Sequence, residues 1–198
     1  KGRVSTTATI AWRARRLHGV SGCAYAFPRM YRLDRCDETF VIEARRRYVN
    51  LVTTCLNPDV VFDVVSNMLG LEQEWFPGSV LMTWKTPPPY GVGSVREHQL
   101  TYMRCVEDFL VWERGRRLVL RLTECSLPML STYLEDYRLT RRIDGGTDLT
   151  WEVCYRPLPI VAILHPIIRP IFARDFRNAT QGLIKVFTRL AVEKKTLA

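Results

Sequence analysis

Several side chains in this sequence carry chemistry that needs a defined position. Glu124 and Glu135 each fall in a stretch whose apolar residues recur at every second place. If Leu118, Leu120 and Leu122 face inward, Glu124 faces inward with them; if Tyr133, Tyr137 and Leu139 do, so does Glu135. A carboxylate in an apolar interior is costly unless it is paired or hydrogen-bonded, and Arg96 or Arg141 could supply a pair. Such a group orients a ligand or acts as acid or base with a shifted pKa. At a sheet rim it is simply solvated. His98, in a strand-like run, and His165, in a proline-rich run, are the other groups suited to proton transfer. No G-x-S-x-G elbow, Walker loop or paired-histidine metal motif occurs, so no catalytic residue is assigned. The six cysteines form no C-x-x-C, and no histidine lies at ligand spacing from any of them. The last four, Cys55, Cys105, Cys125 and Cys154, read as small hydrophobes in strand-like runs, and the set suits a reducing, cytoplasmic compartment, with no metal and no cofactor expected.

A second group of residues is aromatic and lies at strand or helix spacing. Trp75, Trp84, Tyr90, Phe109, Trp112, Tyr133, Tyr137, Trp151, Tyr155, Phe172 and Phe176, with His98, Glu135 and Leu183, are the candidates for lining a cavity. The alternative is that they fill the core solidly. Tyr hydroxyls need partners when buried, which favours a cavity that is partly open.

The elements that must position these side chains follow from periodicity. Residues 40–56 are β-rich and read as one long strand bent at 44–46. Asn57-Pro58 is an N-cap followed by a proline at the first helical place, opening a short helix to about residue 66, and 67–75 read as a second. Strands are expected over 80–85, 94–101, 104–113, 117–124, 132–142 and 147–156, separated by turns such as Asp144-Gly145-Gly146. From Phe172 the period changes: Phe172, Phe176, Ala179, Leu183, Val186, Phe187 and Leu190 recur at three and four, an amphipathic helix of roughly twenty residues. The expected class is α+β: a curved antiparallel sheet of six to seven strands wrapped around a long C-terminal helix, with two short helices after the first strand. A strongly curved sheet does not pack flush against one helix, so space is left for side chains or a ligand. Two segments could gate it: the stiff Pro87-Pro88-Pro89-Tyr90-Gly91 loop, and residues 157–170 with Ile160, Val161, Ile163, Leu164, Ile167 and Ile168. The latter reads as a lid, a membrane-touching surface, a dimer contact or a plain cap.

Local words in this order carry a resemblance. Asn57-Pro58-Asp59-Val60-Val61-Phe62-Asp63-Val64-Val65-Ser66 is similar to the opening of the polyketide cyclase/dehydrase and lipid-transport family, part of the START-like (SRPBCC) superfamily. Gly91-Val92-Gly93-Ser94 resembles its entry into the third strand. Trp112-Glu113-Arg114-Gly115-Arg116-Arg117-Leu118 resembles a hairpin of that family, with Gly115 near its usual proline. Gly145-Gly146-Thr147-Asp148-Leu149-Thr150-Trp151, with Arg156-Pro157 after it, resembles another. The resemblance covers about residues 45–190. It implies the helix-grip fold, and a function in binding or transporting a lipid, polyketide or isoprenoid-like molecule between sheet and helix. The alternative it implies is a cyclase, aromatase or dehydratase using a buried acid or base; the non-catalytic reading is preferred.

Charge sets the remaining expectations. The net charge is +9, and Lys1, Arg3, Arg13, Arg15, Arg16, Arg29 and Arg32 precede the first acid of the chain. Residues 34–198 are therefore close to neutral, and the basic balance belongs to a leader over 1–39, ahead of a domain over 40–192 and a tail over 193–198. A basic leader of this kind is either a loosely held, solvated tail or a docking segment for an anionic bilayer or RNA. Nucleic acid is not the expected partner, peripheral membrane contact is an option, and the chain is expected to be a monomer or a homodimer. No apolar run follows the basic start, so no secretory signal is expected, and no stretch suits a membrane span.

Overall fold

The computed structural model describes residues 29–196. Strand β1 (Tyr31–Arg32) and helix α1 (Phe40–Glu43) precede β2 (Arg46–Thr54), α2 (Pro58–Val65) and α3 (Glu72–Trp75). A meander follows: β3 (Ser79–Trp84), β4 (Val95–Leu100), β5 (Arg104–Glu113), β6 (Arg117–Cys125), β7 (Leu130–Arg141) and β8 (Thr147–Pro157). Helix α4 (Pro159–Thr196) closes the described chain. Neighbouring strands pair antiparallel in the order β2-β8-β7-β6-β5-β4-β3, with β1 added on β6. The C-terminal part of α4 lies across the inner face, burying Phe176, Ala179, Leu183, Val186 and Phe187 against Val52, Leu149, Trp151 and Val153. This is the α+β arrangement expected from the sequence.

Local chemistry explains most boundaries. The Asn57 side chain accepts a hydrogen bond from the Val60 N–H at 3.0 Å, capping α2, and Pro58 takes the place whose N–H has no partner in a helix. Gly145 adopts φ +82° in the β7–β8 turn, a conformation that only glycine enters at no cost. Alternation along β4 buries Arg96, His98 and Leu100 and leaves Val95, Glu97 and Gln99 partly exposed.

The structure differs from four expectations. Residues 40–43 are helical, not the start of a bent strand: the Asp37 carboxylate accepts from the Thr39 N–H at 2.9 Å, and the turn that follows buries Phe40, Val41 and Ala44 on the outer sheet face over Val119, Leu134 and Cys154. Burial there outweighs the strand preference of Phe-Val-Ile. Helix α4 begins at Pro159 rather than Phe172 and runs through Pro166 and Pro170. Of the segment expected to form the second short helix, only Glu72–Trp75 is helical, because Asn67 and Gly70 take left-handed backbone angles. Residues 29–39 of the expected leader are joined to the sheet: Tyr31 pairs with Cys125, and the Leu33 N–H donates to Thr123 O at 2.9 Å. Residues 1–28 of that leader, and residues 197 and 198 of the expected tail, lie outside the described residues.

Candidate functional site

An apolar cavity opens between the sheet and α4 at one end of the core. It encloses about 70 Å³. Tyr48 of β2, Leu122 and Cys125 of β6, Tyr133 of β7 and Tyr155 of β8 supply the sheet side; Phe172, Asp175 and Phe176 of α4 supply the helix side. Phe76 after α3, Leu100, Tyr102 and Met103 at and just after the end of β4, Leu127 and Met129 between β6 and β7, and Leu130 at the start of β7 close it. Tyr48 and Tyr155 stack at 5.5 Å, and Tyr48 meets Phe176 at 5.2 Å. Polar contacts tie α4 to the sheet here. The Tyr48 hydroxyl donates to Arg169 O at 3.0 Å, and His165 Nε2 lies 2.8 Å from the Tyr155 hydroxyl. Burial and the nearby Arg46 and Arg169 hold His165 below its ordinary pKa.

Behind the cavity lies a cluster of buried charged groups. Glu135 accepts hydrogen bonds from the Tyr133 and Tyr137 hydroxyls and from Trp151 Nε1 at 2.9 Å. Burial pushes its carboxyl upward, and the three donors oppose that rise without cancelling it. Glu107 receives Arg96 Nε, while His98 Nδ1 stands 3.5 Å away and His98 Nε2 lies 2.9 Å from the Ser79 hydroxyl. Burial works against the charge on Glu107, but Arg96 and His98 outweigh it and hold the carboxyl down to about 2. Glu72 is buried with one oxygen unpartnered among the described residues, and desolvation raises its carboxyl well above the usual range. Arg96 also donates to Ser66 O at 3.0 Å and lies 4.9 Å over the Phe109 ring. Tyr133 joins the two regions, since its ring lines the cavity and its hydroxyl meets Glu135.

The residues singled out from sequence divide into four groups. Tyr133, Tyr155, Phe172 and Phe176 line the cavity. Trp75, Tyr137, Trp151 and Leu183 form solid core beneath it. Trp84, Tyr90, Phe109 and Trp112 form a second aromatic group packed on Phe62, with Trp84 and Tyr90 stacked at 3.8 Å. His98 and Glu135 belong to the buried charged cluster. Of the two places open to Glu124, inward beside Leu122 or solvated at the rim, the structure has the rim, 3.8 Å from Arg32, where a register irregularity between Val106 and Glu107 breaks the alternation. Arg96 pairs with Glu107 rather than with Glu124 or Glu135.

Glu72, Glu107 and most of the cavity wall were not singled out. Glu107 was reachable by alternation, since Cys105, Glu107 and Phe109 share a face of β5. His98, Cys105 and Glu107 bring ligand-type atoms within 4.8 Å of one another across β4 and β5, a set invisible to sequence spacing because it forms by cross-strand pairing. Arg96 already neutralises Glu107 there, which disfavours a cation.

Comparisons with known proteins place this architecture. No family model matches the chain. Uncharacterized proteins of Mycobacterium bovis and Mycobacterium tuberculosis are 28% identical over 157 residues, covering 75% of this chain and 91% of theirs. Among solved structures, the Zhui aromatase/cyclase of Streptomyces sp. R1128 aligns with a TM-score of 0.61 at 13% identity, over 73% of this chain and 94% of that one. Norcoclaurine synthase of Thalictrum flavum aligns at 0.55 and 11% identity over 74% and 96%. The major latex-like protein 151 of Panax ginseng aligns at 0.52 and 10% identity over 72% and 97%. The fold is the helix grip. Identity this low carries the fold and not the chemistry. No described helix of this helix-grip domain is long and apolar enough to cross a membrane.

Proposed function

We propose that the chain binds a hydrophobic small molecule of the lipid, polyketide or isoprenoid class between its sheet and α4. The observation that carries this reading is the cavity itself. Its wall is almost wholly apolar, and Tyr133 sets one polar point at its edge, backed by Glu135. The apolar body of a ligand would lie against Tyr48, Tyr155, Phe172 and Phe176, with an oxygen directed to the Tyr133 hydroxyl. A larger depression of about 320 Å³ carries many more charged side chains, among them Arg32, Asp34, Arg35, Asp108 and Arg121.

Acid–base catalysis on such a molecule is the second reading. It is favoured by one observation: a buried carboxyl with a raised pKa is hydrogen-bonded to a tyrosine on the cavity wall. The aromatase/cyclase and the synthase that share the fold are compatible with either reading.

Native mass spectrometry of the purified protein, followed by solvent extraction, tests the proposal. A stoichiometric apolar ligand is expected. Phe172→Asp, at a half-buried wall position, should weaken its binding about tenfold or more, since each 1.4 kcal/mol is a factor of ten. A ligand-free mass, with no thermal shift from a panel of fatty acids, isoprenoids and aromatic polyketides, would overturn binding. Turnover of a bound polyketide that is lost in Glu135→Gln would select the catalytic reading.

A further inference from the structure

The N-terminal half of α4 turns one face to the cavity and another to solvent. Phe172 and Phe176 face the cavity. Ile160, Ile163, Leu164, Ile167 and Ile171 fall at i, i+3, i+4, i+7 and i+11, a single stripe on a helix of 3.6 residues per turn. They are 67%, 74%, 50%, 72% and 60% exposed. A continuous stripe of this kind on a folded domain is an interaction surface rather than scattered exposure.

The charges around the stripe say what covers it. From Pro159 to Arg174 helix α4 carries Arg169 and Arg174 and no acid, and both arginines are exposed. Arg46, on the neighbouring strand, acts with Arg169 on His165 beside the stripe, so the field there is positive. A partner must therefore offer apolar depth and negative charge together. An amphipathic helix with a branched aliphatic face and basic flanks meets both at the boundary of an anionic bilayer. The helix is long, but no 18-residue stretch of it is apolar enough to cross one.

We infer that this face of α4 docks on the surface of a membrane containing anionic lipid, seating the cavity lid at the bilayer boundary. The inference does not depend on what the cavity binds.

Co-sedimentation of the full chain with vesicles tests it, using phosphatidylcholine alone and phosphatidylcholine mixed with phosphatidylglycerol. Binding to the mixed vesicles, falling steeply with salt and at least about tenfold weaker to neutral ones, is expected. The double variant Ile163→Asp/Ile167→Asp leaves every basic residue in place and alters only exposed positions. It should keep its circular dichroism and melting temperature and lose vesicle binding about tenfold or more. An environment-sensitive dye on Ile163→Cys should shift to the blue on mixed vesicles. Undiminished binding by the double variant would assign attachment to basic residues elsewhere, including those in 1–28, and overturn the inference. Equal binding to neutral vesicles would overturn it as well. So would the absence of vesicle binding together with a dimer that the double variant dissolves, since a second copy would then cover the stripe.

Discussion

Glu107 and Glu135 stand in one buried cluster, and their surroundings drive them in opposite directions. Glu107 is held to about 2 against burial by Arg96 and His98. Its depressed pKa stabilises the fold above the ordinary carboxylate range, and that stability is lost as pH falls from about 4.5 towards 2. Glu135 is raised instead, because burial outweighs the Tyr133, Tyr137 and Trp151 donors. Its contribution is complete below the ordinary range and declines as pH rises towards its folded value. Glu107→Gln should therefore cost about 3 kcal/mol at neutral pH, since it leaves the buried Arg96 charge uncompensated, and should flatten the acid limb of stability. Glu135→Gln should flatten the decline on the other side. Urea denaturation of both variants from pH 2 to 8 separates them. An acid limb that survives in Glu107→Gln would mean that other carboxylates carry it.

At the scale of elements, α3 and α4 meet at Gly182. A Cβ built there would lie 2.3 Å from Trp75 O and 2.7 Å from Trp75 Cα. Helix propensity alone favours alanine over glycine by about 1 kcal/mol. The contact is with backbone, which has no rotamer to give, so the clash decides the sign. Gly182→Ala should destabilise by about 1–3 kcal/mol and change tryptophan fluorescence as Trp75 shifts. Gly91→Ala, with open space around its Cβ position and no left-handed backbone, should be close to neutral in the same thermal melts. A stabilised Gly182→Ala would mean that α3 moves freely on α4. This contact also shows where sequence reading stops. Strands β4 through β8 and the stripe from Phe172 to Leu190 were legible because side-chain period follows burial within one element. What depends on two elements meeting was not. The helical turn at Phe40 is decided by the sheet face under it, the Arg96–Glu107–His98 cluster by cross-strand register, and the cavity by loop residues such as Met103 and Leu127 that carry no period.

The cavity of about 70 Å³ is small beside the ~300–1,000 Å³ of sites that enclose a drug-sized molecule, so a ligand of the proposed class enters only if the wall moves. The sheet side is fixed by continuous pairing of β6, β7 and β8. The lid side is α4, and its N-terminal half holds Pro166 and Pro170. Each proline lacks the N–H that would bond the carbonyl four residues earlier, which weakens the helix where it covers the cavity. The Tyr48 and Tyr155 contacts to Arg169 and His165 then latch a segment whose own backbone resists little. If opening bends or unwinds α4 at these prolines, Pro166→Ala/Pro170→Ala should favour the closed lid. The melting temperature should rise by a few degrees. Each 1.4 kcal/mol of added closed-state stability cuts the open population about tenfold, and ligand association slows in proportion. Stopped-flow tryptophan quenching with a ligand recovered from the purified protein measures both rate constants. Slower association and slower dissociation together are the signature of a stiffened gate. Unchanged rates in a more stable variant would place the entrance elsewhere, with the edge at Tyr102 and Met103 the next wall to test.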